Sequence, residues 1–216
     1  MPNSHYKHVI WDWNGTLFDD AWLCVEIMNG LLVKRGLPPL SLERYQSLFD
    51  FPVIDYYRRV GFDFAVDSFE NLSNEFIGEY QRRMLECQLR PQTREVLEGI
   101  QQLGLTQSIL SAMKQEMLDE MIEHFALTRY FADVVGISDH HAAGKIDSAR
   151  RWMAKQAVSP ADMVFVGDTT HDYEVAQELG VTCWSIASGH HSEERLAALS
   201  GRVIEALPAL LGLINA

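Results

Sequence analysis

Hydrophobic positions fall into two regimes along this chain. From residue 91 onward, short apolar runs of strand length alternate with stretches whose apolar residues recur at helical spacing. Strands are predicted at 106–111, 133–137, 163–166 and 181–186, with an edge strand at 203–204. Helices are predicted at 93–103, 115–125, 145–157, 173–179 and 193–199, and a last one closes the chain. Gly104 and Gly180 stand where helices end on a left-handed residue. Alternation of this kind predicts a parallel sheet covered on both faces and joined by right-handed crossovers.

The N-terminal part reads differently. Val9, Ile10 and Trp11 form a strand-like run that ends on Asp12 and a Gly15-Thr16 turn. Residues 21–88 then show helical periodicity only. A stretch at 21–35 is apolar nearly all round and stops at Gly36, with Pro38-Pro39 beyond. A short helix runs from an N-cap at Ser41 to about residue 50, Phe51-Pro52 breaks it, another covers 53–60 before Gly61, and a long pattern spans 67–88. The expected architecture is a doubly wound α/β core made of residues 1–20 and 89–216, with 21–88 inserted as an all-helical subdomain.

With 216 residues, 47% of them hydrophobic, the chain can bury such a core. Its 18 Lys and Arg against 30 Asp and Glu give a formal charge of −12, which repels nucleic acid and anionic membranes, and no basic patch interrupts it. Cys24, Cys87 and Cys183 are widely spaced, the usage of reduced thiols rather than of disulfides or zinc. Residues 1–8 hold no apolar signal core and no run approaches ~18 apolar residues, so the expected location is the cytoplasm.

Candidate chemistry sits at strand ends, because ligands of open parallel sheets bind at the carboxyl edge, where helix N-termini converge. Asp12 there can be a nucleophile, a metal ligand or a cap. Ser111 ends a strand before a helix and reads either as the helix N-cap or as a phosphate ligand. Gly144-Lys145 opens a helix, where the dipole disfavours a lysine and an anionic partner would favour it. Asp168 and Asp172 follow the Val164-Phe165-Val166-Gly167 run at a strand-to-helix turn; they can face one point and hold a hard divalent cation, or serve as caps. The pairs His140-His141 and His190-His191 find nothing to complete a ligand set and read as loop residues.

Taken in order, Asp12-x-Asn14-Gly15-Thr16, the later Ser111, Lys145 at a helix start and Gly167-Asp168-x-x-x-Asp172 closely resemble the haloacid dehalogenase superfamily over essentially the whole chain. The helical insert is similar to the small cap of that superfamily's phosphoglycolate phosphatases and β-phosphoglucomutases. The resemblance implies a Mg²⁺-dependent phosphatase acting on a small phosphorylated metabolite through an aspartyl phosphate. It makes Asp12 the nucleophile and assigns Gly15, Thr16, Ser111, Ala112 and Lys145 to the substrate, with Lys145 also offsetting the repulsion between two anions. It gives the metal to Asp12, the backbone carbonyl of Asn14, Asp168 and Asp172. Substrate choice falls to the insert, where Phe51-Pro52 and the run Tyr56-Tyr57-Arg58-Arg59 are candidates, against a reading in which the tyrosines pack and the arginines are solvated.

Asn14 departs from the family pattern, in which phosphatases carry an aspartate that protonates the leaving oxygen and later activates water. An amide donates hydrogen bonds but cannot shuttle a proton. Positioned acid–base catalysis is worth about 10²–10⁴-fold, so alkyl phosphates should react slowly and esters with acidic leaving groups suffer less. Three readings stay open: His171 supplies the proton, the chain is a phosphate-binding relative with weak catalysis, or Asn14-Gly15 deamidates to aspartate. Dehalogenases lack the metal acids kept here as Asp168 and Asp172, and phosphonoacetaldehyde hydrolases use a cap lysine where this insert has only Lys34.

Overall fold

Strand β1 (His8–Trp11) alternates its side chains between two apolar layers, Val9 and Trp11 into one and Ile10 into the other, all fully buried. A strand with no wet face must be central. Accordingly, in the computed structural model, which describes residues 6–137, 143–200 and 202–215, β1 lies between β4 (Thr106–Lys114) and β6 (Met163–Gly167), parallel to both. With β5 (Asp133–Ile137), β7 (Thr182–Ile186) and β8 (Val203–Ile204), the parallel six-stranded order is β5-β4-β1-β6-β7-β8. Helices α5 (Thr93–Gln102), α6 (Gln115–His124) and α10 (Ala209–Ile214) cover the Val9 face; α7 (Ala143–Met153) and α8 (Thr170–Leu179) cover the Ile10 face. This is the doubly wound α/β fold expected, completed by α9 (Glu193–Ser200).

The insert holds α1 (Ala21–Lys34), α2 (Leu42–Leu48), α3 (Val53–Arg59) and α4 (Phe69–Arg83). Ser41 and Ser68 cap α2 and α4 by accepting from the amides of Arg44 and Asn71. Helix α1 is less enclosed than its composition suggests, with Val33 60% exposed. The long pattern at 67–88 breaks after Arg83 into a short 3-10 turn and then a strand, β3 (Gln88–Leu89), which pairs antiparallel with β2 (Phe18–Asp19). This ribbon ties the two connections of the insert together; two-residue strands carry no periodicity to read. No helix among the described residues is long and apolar enough to cross a membrane. His140 and His141 lie outside the described residues.

Candidate active site

Asp12 leaves β1 with its N–H on the Val166 carbonyl at 2.9 Å, so the end of β6 fixes where the carboxylate starts. The buried Lys145 ammonium, from the first turn of α7, bridges Asp12 Oδ1 and Asp172 Oδ1, the latter at 2.5 Å. Thr16 Oγ1 donates to Asp168 Oδ1 at 2.9 Å and lies 3.4 Å from Asp12 Oδ2. The other oxygen of Asp168 accepts the His190 N–H at 2.6 Å. Asp172 Oδ2 accepts from Thr169 N at 2.9 Å and Thr169 Oγ1 at 2.7 Å, a capping box that starts α8 at Thr170, three residues before its apolar pattern begins.

Three buried carboxylates thus face one ammonium. Burial and the neighbouring Asp172 push Asp12 well above the usual carboxylate range, against Lys145, and burial likewise raises Asp168. Burial would raise Asp172 too, but Lys145 and Thr169 hold it low; burial would lower Lys145, which Asp12 and Asp172 hold high. Oxygens of Asp12, Asp168 and Asp172 lie within 4.8 Å of one another, so an oxygen-seeking cation fits the set and would relieve its excess negative charge. Gly15 and Gly189 are required here: a Cβ on either would collide with the Asp168 carboxylate, and Gly15 also has φ +71°.

Ser111 does not cap a helix. Strand β4 runs on to Lys114 and slips register against β5 between Leu110 and Lys114; Ser111 Oγ sits in that bulge and accepts the Met113 N–H at 3.0 Å. Ala112 lies half-buried in the same bulge. Gly15 offers a substrate no free amide, because its N–H is held by Phe18 O at 2.8 Å and Asp20 Oδ1 at 2.9 Å. Thr16 Oγ1 is committed to Asp168.

Asn14 belongs to a network that no spacing in the sequence reveals. Its Nδ2 donates to Asp20 Oδ2 at 2.7 Å and to Tyr80 Oη of α4 at 2.9 Å, and Tyr80 donates to the same Asp20 oxygen at 2.7 Å. His190 Nε2 stands 3.2 Å from Asp20 Oδ1, and its Nδ1 lies 2.9 Å from Tyr45 Oη of α2. Burial alone would lower His190, yet Asp20 raises it to about 9; against its own burial, Asp20 is held below the usual range by His190, Tyr80 and Asn14. His190 and His191 are loop residues, as expected, but buried ones. Cys24 joins Asp20 and His190, with ligand-type atoms within 4.8 Å of one another, a neighbourhood invisible to spacing in the sequence; the Asp20 oxygens there already accept the amide and hydroxyl donors just named. The hydrogen bonds on Gly15 N oppose its attack on the Asn14 side chain, the step that deamidation requires.

In the insert, Tyr56 and Tyr57 are packed in the core, while Arg58 pairs with Asp55 at 2.5 Å and Arg59 reaches Leu48 O at 3.3 Å, both exposed. The solvated reading of the arginines holds. The Phe51 ring lies tilted against His171, 4.9 Å between ring centroids. Lys34 is 65% exposed and paired with Glu75 at 2.6 Å, on the outside of the insert, so it supplies no Schiff-base amine to the carboxylates.

The haloacid dehalogenase-like hydrolase family matches the chain over residues 9–186. A phosphoglycolate phosphatase of Vibrio parahaemolyticus is 27% identical over 209 residues, 92% of this chain and 91% of that one. One from Synechococcus elongatus is 25% identical over 198 residues, 88% of each. The crystal structure of a predicted phosphatase from Clostridium acetobutylicum superposes with a TM-score of 0.80 at 19% identity, covering 97% of this chain and 98% of that one.

Proposed function

The chain belongs to the haloacid dehalogenase-like hydrolases, and from that premise we propose that it is a cytoplasmic Mg²⁺-dependent phosphatase of a small phosphorylated metabolite, working through an aspartyl phosphate on Asp12. It is a phosphoric monoester hydrolase by kinship with the phosphoglycolate phosphatases it resembles. The observation that carries the mechanism is the buried Lys145 ammonium gripping Asp12 and Asp172 at once. It works against the burial that favours a protonated Asp12, aims the carboxylate, and offers positive charge to an incoming phosphoryl group. Asp12, Asp168 and the Asn14 carbonyl would hold Mg²⁺, with Asp172 beside them; bound there, the ion would neutralise charge on the phosphoryl oxygens.

Covalent catalysis moves the phosphoryl group from the ester oxygen to Asp12 Oδ, and water then cleaves the acyl phosphate. The first step expels an alkoxide or aryloxide, and the second removes a proton from water. Asn14 serves neither, since its amide hydrogens are spent on Asp20 and Tyr80. Aryl phosphates, whose leaving groups depart without a proton, are therefore the better substrates, and Ser111 and Ala112 complete the phosphoryl pocket at the end of β4. Asp12→Asn is expected to abolish hydrolysis of 4-nitrophenyl phosphate and phosphoenzyme formation, seen as loss of the +80 Da adduct in rapid-quench mass spectra. Undiminished turnover in Asp12→Asn would sink this mechanism.

A further inference from the structure

Arg90 is buried, 8% exposed, where the chain returns from the insert, between β3 and α5. Its N–H donates to Leu17 O at 2.9 Å, which ties it to the connection by which the chain leaves the core. A guanidinium taken out of water costs free energy unless an ion partner meets it. The carboxylate nearest to it, Asp19, is 44% exposed and 3.6 Å away, beyond hydrogen-bond reach. The close contacts go to two main-chain carbonyls instead: Nε donates to Gly15 O at 2.7 Å, and Nη2 donates to Ser188 O. A rigid fork holds two acceptors in one fixed relation, which a single ammonium does not.

Those carbonyls belong to the two segments that close on Asp168, the turn after β1 and the loop after β7. Next to Gly15, Thr16 Oγ1 donates to Asp168 Oδ1 at 2.9 Å; just beyond Ser188, His190 N donates to Asp168 Oδ2 at 2.6 Å. Gly15 and Gly189 press on the same carboxylate, so closely that a Cβ on either would collide with it. Both oxygens of Asp168 therefore take donors from walls that one side chain joins. The walls are in turn fastened where the insert leaves and re-enters the core, since Arg90 continues the β2–β3 pairing through Leu17.

We propose that Arg90 is a positioning residue: by clamping Gly15 to Ser188 it fixes the direction of the Asp168 carboxylate, and through it the affinity for Mg²⁺. This deepens the phosphatase reading above, in which Asp168 holds the ion, and rests on it. Charge and position predict opposite signs for the loss of Arg90. Taking a cation from the neighbourhood of a dication tightens the ion, whereas a loosened Asp168 weakens it.

Calorimetry with Mg²⁺ alone, without substrate, reads that sign. Arg90→Met is expected to raise the Kd for Mg²⁺ at least about tenfold. Arg90→Lys, which keeps the charge but not the fork, should fall between Arg90→Met and the wild type. Amide hydrogen exchange followed by NMR reads the clamp in the absence of metal. The His190 amide should lose protection at least about tenfold in Arg90→Met, while the amides of Val164, Phe165 and Val166 in β6 keep theirs. A Kd for Mg²⁺ unchanged or lowered in Arg90→Met overturns the proposal, and so does an Arg90→Lys protein that binds Mg²⁺ as tightly as the wild type. Equal loss of protection at His190 and in β6 also overturns it, because Arg90 would then support the whole fold and not this site. If Arg90→Met does not fold, Arg90→Lys is judged against the wild type by the same two readings. If the wild type binds no Mg²⁺, the reading of Asp168 as a ligand has failed by itself; the clamp then stands or falls with the protection of the His190 amide.

Discussion

Asn14 looks, in the sequence, like a catalytic aspartate lost, and restoring it looks like a direct route to faster chemistry. Its partners give the substitution a different meaning. An aspartate at this position would set one carboxylate about where Nδ2 now meets Asp20 Oδ2 at 2.7 Å, and would remove the donor to Tyr80 as well. Like charges that close cannot both ionise without cost. Asn14→Asp is therefore expected to lower stability by about 1–3 kcal/mol and to leave alkyl phosphates slow. The double variant Asn14→Asp, Asp20→Asn recovers part of the lost stability, the charged partner of His190 being gone, and gains on alkyl esters, because the amide now sits on the other residue. Melting curves and the ratio of alkyl to aryl kcat on both proteins check this; full additivity of the two changes would show that positions 14 and 20 do not interact. Asp20 lies four residues beyond the Asp12-x-Asn14-Gly15-Thr16 motif, and nothing in its spacing marks it, since its partners come from residues 80 and 190.

At the scale of elements, the sequence showed what periodicity can show. The core strands and helices were readable because each buries a face, and Gly104 and Gly180 end helices with positive φ as their positions suggested. Asp12, Lys145, Asp168 and Asp172 were readable as residue types at strand and helix ends, and the fold brings them within reach of one another. What escaped were features with no period: the β2–β3 ribbon, the bulge at Ser111, and the first turn of α8, whose polar Thr170-His171-Asp172 hides a helix start. That turn is held by Thr169, which accepts from Asp172 N at 3.2 Å and donates to its Oδ2 at 2.7 Å. Thr169→Ala is expected to cost about 0.5–2 kcal/mol in denaturant unfolding as a lost N-cap. It should also weaken Mg²⁺ binding, because Asp172 loses a donor that holds its second oxygen. Thr169→Ser, which keeps the hydroxyl, should retain both; an equal loss in the serine variant would point to packing of the methyl group instead.

Over the whole molecule, the insert and the core are held together across the site by contacts that converge on the loop before α9 and on the first turn of that helix. Tyr45 meets His190, Gln46 Nε2 donates to Gly189 O at 2.7 Å, and Arg195 donates to Phe49 O at 2.6 Å and pairs with Asp50 at 3.1 Å. Beside this clasp the His190–Asp20 pair lies within the core, with Tyr45 and Tyr80 of the insert on its two members, and its pH dependence has a defined sign. Burial works against a charged His190, but Asp20 raises it from 6.5 to about 9, so its contribution is fully present below pH 6.5 and is lost as pH rises through 9. Asp20, held low by His190, Tyr80 and Asn14 against its own burial, loses its contribution only on the acid side, as pH falls through its lowered value. The wild-type melting temperature should therefore decline between pH 6.5 and pH 9 more steeply than that of His190→Gln, which starts lower and lacks the titrating ring. Scans with EDTA in every buffer keep divalent cations out of the comparison. Parallel curves for the two proteins across that window would mean that the His190–Asp20 pair contributes no pH-dependent stability.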